Sequence, residues 1–330
     1  MTRIIAIIAA TLLTAGCVEY TPVGKTYEPG TNNPRDLETP DRVDVLIQAP
    51  VREVDILWLI DNSSSMGEEQ DGIADNLEVF LEYFLGSGLD YHIGVISTDM
   101  DDPWHRGRLQ EKRGLKWIDK NTVDAFGVMG EMTRLGIDGS GNEKGRDPIF
   151  RAIETHGDDA NAGFYRASAG FHVVAISDEE DSSTEISESE FLDWLKSLKP
   201  TRSDISFSSI VSPMPICEGA NDPGVEYIRY TQEIGGTYWP ICDDDWAAVL
   251  DILGLEASGL VHEFFLSGLP VPGTIQVRVV EENGTTLEFY EGDDWIYSQA
   301  RNSVTFLQFL PAPWSEIEVT YQALAAKEID

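Results

Sequence analysis

The sequence predicts an α/β protein: a doubly wound, mostly parallel sheet of Rossmann-like type, followed by a small all-β domain. Three observations predict it. From about residue 54 to residue 257, apolar strand-like runs alternate with segments of helical period, as repeated β-α units do when helices cover both faces of a parallel sheet. The strand-like runs are nearly continuous in apolar residues, as strands buried on both faces require. Beyond Gly259 the helical periods stop and short β-rich runs follow, two of them bracketing Asn283-Gly284, a strong signal for a two-residue hairpin turn.

The first central strand is 54–60, Val-Asp-Ile-Leu-Trp-Leu-Ile. After it Ile73, Leu77, Phe80, Leu81 and Phe84 recur at helical spacing until Gly86-Ser87-Gly88 stops the helix. Residues 91–97 and 171–177 are further strands. Ser187-x-x-Glu190 is a capping box that opens a helix with Phe191, Leu192, Leu195 and Leu198 on one side and Pro200 at its end. A strand at 205–211, a helix at 225–234, a short strand at 237–239 and a helix at 246–255 complete the pattern. Residues 103–140 are less regular and read as long loops or an insertion. The β-rich runs are 261–267, 275–280, 285–290, 303–309 and 317–322.

The amino-terminal residues point to export. Arg3 precedes a mostly apolar run, residues 4–13, shorter than the roughly 20 residues a membrane-spanning helix needs. A basic start, a short apolar core and small residues make a secretory signal peptide. Thr14-Ala15-Gly16-Cys17 resembles the lipobox of bacterial lipoproteins, with Leu13 one place further back than usual. That resemblance implies acylation of Cys17 and a lipid anchor in the cell envelope. Val18 is not the Asp that favours inner-membrane retention, so the outer membrane is the expected location. Residues 1–16 are then the signal peptide and 17–41, rich in Pro, Gly, Thr and Asn, a flexible tether. With Cys17 taken by lipid, Cys217 and Cys242 are left to pair in an oxidising compartment.

The 330-residue chain carries 58 acidic against 23 basic residues, a formal net charge of −35. Such a surface repels nucleic-acid phosphates and anionic headgroups, which excludes both as partners.

At the carboxyl end of the first central strand the chain reads Asp61-Asn62-Ser63-Ser64-Ser65-Met66. A hard divalent cation takes oxygen ligands, and two hydroxyls one residue apart on a turn can both face it, with a carboxylate ahead of them supplying charge. The strand 171–177 likewise ends in Asp178. D-x-S-x-S between a buried strand and an amphipathic helix, with a second acidic residue after a later strand, resembles the metal-ion-dependent adhesion site of von Willebrand factor type A domains. The resemblance covers residues 42–258, leaving 259–330 as the small β domain, and the run 43–48 with 54–66 and the Asp178 loop is similar to exported lipoproteins of myxobacterial type. It implies Asp61, Ser63, Ser65 and Asp178 as ligands of Mg²⁺, or of Mn²⁺ or Ca²⁺. The family's further Thr ligand has no counterpart in residues 137–143. Ser140 is the expected substitute, with Asn142 or Glu143 as alternatives. An EF-hand through Asp138, Ser140 and Asn142 is rejected, because Glu143 stands at the required Gly and Ile149 at the required Glu.

No H-E-x-x-H, G-x-S-x-G or G-x-x-x-x-G-K pattern is present, so the expected role is binding rather than catalysis. The resemblance implies a protein partner whose acidic side chain completes the metal's coordination. A metal-dependent hydrolase using Asp61 and Asp178, and an accessory subunit of a larger envelope complex, are the alternatives.

Overall fold

The computed structural model describes residues 41–323, apart from positions 50, 52 and 86. The expected signal peptide, the expected acylation site Cys17 and the expected tether up to residue 40 lie outside the described residues. In chain order the elements are β1 (Asp41–Ile47), β2 (Glu53–Ile60), α1 (Gly67–Leu81), β3 (Asp90–Ser97), α2 (Ala125–Thr133), α3 (Arg146–Phe150), β4 (Gly170–Ser177), α4 (Glu188–Ser197), β5 (Ile205–Val211), α5 (Val225–Ile234), β6 (Tyr238–Pro240) and α6 (Trp246–Ser258). Six strands follow: β7 (Glu263–Phe265), β8 (Gln276–Val280), β9 (Thr286–Phe289), β10 (Trp295–Ser298), β11 (Ser303–Phe306) and β12 (Glu316–Gln322).

Strands β2 to β6 form a wholly parallel sheet in the order β3-β2-β4-β5-β6. The continuous apolar run of β2 has the expected physical cause. Val54, Ile56, Trp58 and Ile60 point to one face, where they meet Ile73, Leu77 and Phe80 of α1, Met129 of α2 and Leu250 of α6. Leu57 and Leu59 point to the other, where Ile149 of α3, Phe191 of α4 and Tyr227 and Tyr230 of α5 lie. The capping box holds: the Glu190 N–H donates to Ser187 Oγ and the Ser187 N–H to Glu190 Oε2. The irregular segment 103–140 contains α2, and a π-helical turn (Arg151–Thr155) extends α3, neither of which the hydrophobic period disclosed.

The β part is a pair of antiparallel sheets, β1-β12-β8-β9 and β10-β11-β7, enclosing one core of Phe264, Val277, Val279, Trp295, Val304, Phe306, Ile317 and Val319. Its composition corrects one boundary. Residues 42–48 were expected to open the α/β domain, yet β1 pairs along its whole length with β12, from Asp41 opposite Gln322 to Ile47 opposite Glu316. The buried Asp44 secures it by accepting the Ser267 N–H at 2.7 Å and the Tyr321 hydroxyl at 2.9 Å. The β sandwich is thus built from both flanks of the α/β part. A second adjustment is smaller. The Asn283-Gly284 hairpin is present, but Val280 pairs with Thr286 and the Glu281 N–H donates to Thr285 O, which makes the loop one residue longer than two. Gly284, at φ 84°, supplies the left-handed position that such a loop needs.

Cys217, after β5, and Cys242, after β6, form a disulfide with their Cα atoms 6.2 Å apart. Among the described residues no helix is long and apolar enough to cross a membrane.

Candidate metal centre

The sheet order creates the site. The chain runs from β2 to β3 on one side, then returns to place β4 on the other side of β2. Between β2 and β4 the connections leave toward opposite faces, and the crevice beyond their carboxyl ends is where ligands bind in open α/β sheets. Asp61 follows β2 immediately and Asp178 follows β4 immediately, so both carboxylates stand at that crevice.

The Asp61–Met66 turn is folded on its own carboxylate. Asp61 Oδ1 accepts the Ser63 N–H at 2.7 Å and Asp61 Oδ2 accepts the Ser177 hydroxyl at 2.6 Å. Ser63 Oγ and Ser65 Oγ lie 3.2 Å apart, and Ser65 Oγ donates to Asp178 Oδ1 at 3.1 Å. Four of the five residues predicted from the motif therefore meet, across a sequence gap of 113 residues between Ser65 and Asp178. From α1, Gln70 Nε2 donates to the Asp61 carbonyl at 3.0 Å and to the Gly136 carbonyl at 2.9 Å, tying the turn to the loop that carries residues 136–145. Gly139 lies against that turn so closely that a Cβ there would sit 2.4 Å from the Asn62 side chain.

The fifth predicted residue is placed elsewhere. Ser140 Oγ donates to Asp101 Oδ2 at 2.7 Å, and the Ser140 N–H to Asp99 Oδ2 at 3.3 Å. These bonds commit Ser140 to the loop after β3 rather than to Asp61, Ser63, Ser65 and Asp178. Of its two alternatives, Asn142 is exposed and accepts from Lys144 at 3.3 Å. Glu143 is 1% exposed, and neither of its carboxylate oxygens has a hydrogen-bond partner.

Two contributors carried no signal in the motif. Ser177, the last residue of β4, holds Asp61. Asn221 Nδ2 lies 3.1 Å from Ser65 Oγ, 3.1 Å from Asp178 Oδ2 and 3.2 Å from Glu179 Oε1. Asn221 stands four residues after Cys217 in the loop following β5, and the available hint was only that a disulfide-held loop leaves the same end of the sheet.

The site is a concentration of negative charge in a low-dielectric setting. Burial pushes the Asp61 carboxyl up; hydrogen bonds from Ser177 and Ser63 oppose the shift and the charge of Asp178 adds to it. Burial also raises Asp178, against the hydrogen bond from Ser65. Glu143 is pushed up to about 9 by burial and by the charge of Asp61. The Thr98 hydroxyl opposes that shift. Arg146 reaches this end of the sheet but pairs with Asp181 and Glu226 instead. Hard oxygen donors with raised carboxyl pKa values, and among the described residues no basic side chain paired with Asp61 or Asp178, would suit a divalent cation, whose charge would relieve the repulsion. Among the described residues, no three His, Cys, Asp or Glu side chains converge closely enough to hold a metal by themselves. The oxygen donors that meet here are two carboxylates, Asp61 and Asp178, and two hydroxyls, Ser63 and Ser65.

No family model and no curated protein matches the chain. Solved structures similar to it include proximal thread matrix protein 1 from the mussel byssus, at 11% identity and TM-score 0.42 over 68% of this chain. They also include the pilus adhesin SpaC from Lactobacillus rhamnosus GG, at 11% identity and TM-score 0.46 over 88% of this chain. The matches span 52% and 42% of those two proteins' own lengths.

Proposed function

We propose that this chain is a binding protein of von Willebrand factor type A kind, exported and lipid-anchored through Cys17 at the cell envelope. In this reading a divalent cation, Mg²⁺ or else Mn²⁺ or Ca²⁺, is held by Asp61, Ser63, Ser65 and Asp178 and bridges to a protein partner. The observation that carries it is the meeting of the two loops at the sheet's switch point, with Ser65 Oγ on Asp178 Oδ1 at 3.1 Å. Two carboxylates and two hydroxyls leave a dication with open coordination positions, one of which an acidic side chain of the partner would take. The chain's net charge of −35 opposes an acidic partner at range, but screening over about 8 Å at physiological salt confines that repulsion and lets the local cation prevail at contact.

Loops at the same end of the sheet offer apolar contact area beside the ion. Trp104 after β3 is 79% exposed and Met214 after β5 72% exposed, with Ile137 and Ile216 also outward. Exposed aromatic and apolar side chains around a polar centre suit a protein interface. Binding is favoured over nucleophilic catalysis because Ser63 and Ser65 bond to each other, to Asp178 and to Asn221, none of which is a general base of the histidine type.

The test is melting temperature in EDTA against millimolar Mg²⁺, Mn²⁺ and Ca²⁺. A ligand of the native state stabilises by about 2.7 kcal/mol at a hundredfold excess over Kd. Asp61→Ala should abolish the shift. Identical wild-type curves with and without metal would rule the cation out.

A further inference from the structure

Several buried polar atoms from segments around the Asp61 turn make no well-formed hydrogen bond among the described residues, and they belong to different elements. Besides both oxygens of Glu143, they are Thr98 Oγ1 after β3, Asn62 Oδ1 after β2 and the Tyr227 hydroxyl on α5. All four residues are at most 4% exposed. Their segments adjoin one another. The Lys144 N–H donates to the Thr98 carbonyl at 3.2 Å, the Thr98 N–H to the Ile60 carbonyl at 3.3 Å, and a Cβ at Gly145 would sit 2.7 Å from the Tyr227 hydroxyl. The charges of Asp61 and Glu143 both bear on Tyr227. Buried polar groups are almost always satisfied by protein or by ordered water, so a group of orphans at one place marks a place that holds solvent or an ion.

The loop that carries Glu143 is itself fixed. Asp181, three residues after Asp178, accepts the Gly145 N–H at 2.7 Å, the Arg146 N–H at 3.2 Å and Arg146 Nη1 at 3.0 Å. The Ser182 N–H donates to the Glu143 carbonyl at 2.9 Å. Two loops that each carry an acidic group for one end of the sheet are thus locked together, and Glu143 has no freedom to leave for solvent.

We infer that Glu143, not Ser140, is the further residue of the cation site, and that its carboxylate binds the ion through a coordinated water. This rests on the reading of Asp61 and Asp178 as metal ligands. Among the described residues no three acidic side chains converge to ligand distance, which favours a water-mediated role over a direct bond. Mg²⁺ retains several of its waters when bound by one or two carboxylates, and a carboxylate that orients such a water raises affinity as a direct ligand's neighbour does. Thr98 and Tyr227 are placed to hydrogen-bond the same solvent. The added negative charge also bears on the partner, because it lowers the attraction of the site for an acidic side chain.

Glu143 is a positioning residue, and its test separates that role from a structural one. Mg²⁺ and Mn²⁺ are titrated calorimetrically into metal-stripped wild type, Glu143→Gln and Glu143→Thr, the last placing a hydroxyl where the related domains have one. Both variants should weaken Kd by about tenfold or more, while their metal-free melting temperatures stay equal to or above the wild type's. A wild type that binds with unchanged Kd in both variants overturns the inference and leaves the cation site standing. A wild type that binds neither metal overturns both. If Glu143→Gln does not fold, Glu143→Thr decides alone.

Discussion

Removing the charge of Glu143 should make the metal-free protein more stable and flatten its dependence on pH. The carboxyl has an ordinary value of 4.5 and is pushed up to about 9 in the fold, by burial first and the charge of Asp61 second. A folded-state value raised above the unfolded one means that the unfolded chain releases the proton first. Stability from this group is therefore complete below pH 4.5 and declines as pH rises toward 9, beyond which the loss levels off. At pH 7 the unfolded chain has ionised this group and the folded protein has not. At 1.36 kcal/mol per pH unit the loss at that point is about 3 kcal/mol, or about 6 °C in Tm at roughly 2 °C per kcal/mol. Asp61 and Asp178 shift in the same direction, so the wild-type profile alone cannot be assigned. The difference between wild type and Glu143→Gln can. The assay is urea unfolding in EDTA at intervals from pH 5 to pH 8, where Glu143→Gln should gain on the wild type at each step. Parallel profiles would refute the argument, because they would mean that Glu143 ionises in the fold as it does in water. Metal should reverse the wild-type slope, since binding requires the carboxylates to be ionised.

Ser140→Ala should leave the metal-induced shift in Tm within error of wild type, because its hydroxyl is spent on Asp101; a lost shift would return Ser140 to the site. Reducing the Cys217–Cys242 bond should lower stability by roughly 3 kcal/mol through the loop it closes, read as the change in urea midpoint with and without reductant, and no change would mean that the bond does not form in solution. Arg146→Ala should cost about 3 kcal/mol by chemical denaturation, since it removes the cationic partner of the buried carboxylate of Asp181 and leaves it only neutral donors. A loss under about 1 kcal/mol would show that the remaining N–H and O–H donors to Asp181 suffice without it.

The parallel sheet and four of the site residues were legible in the chain. A strand buried on both faces writes itself as an unbroken apolar run, as in Ile56-Leu57-Trp58-Leu59-Ile60, and the turn that brings oxygen atoms together writes itself as Asp61-x-Ser63-x-Ser65. Both are local demands, met within a few residues, and so is the capping box at Ser187. What depends on partners distant in sequence left no such trace. The run Val43–Gln48 has the same composition whether it edges the parallel sheet or pairs with β12; only the buried Asp44, caught between Ser267 and Tyr321, assigns it to the sandwich. Ser140 and Glu143 are equally good oxygen donors on paper. The tertiary structure separates them, because Asp101 takes the serine hydroxyl while Asp181 and Ser182 clamp the loop so that Glu143 is buried without a partner. Asn221 joins the site only because β5 ends beside β4 and a disulfide holds the following loop there. Local sequence specifies which atoms a segment can offer; which of them go unsatisfied, and so remain for a ligand, is decided by what the rest of the chain packs against them.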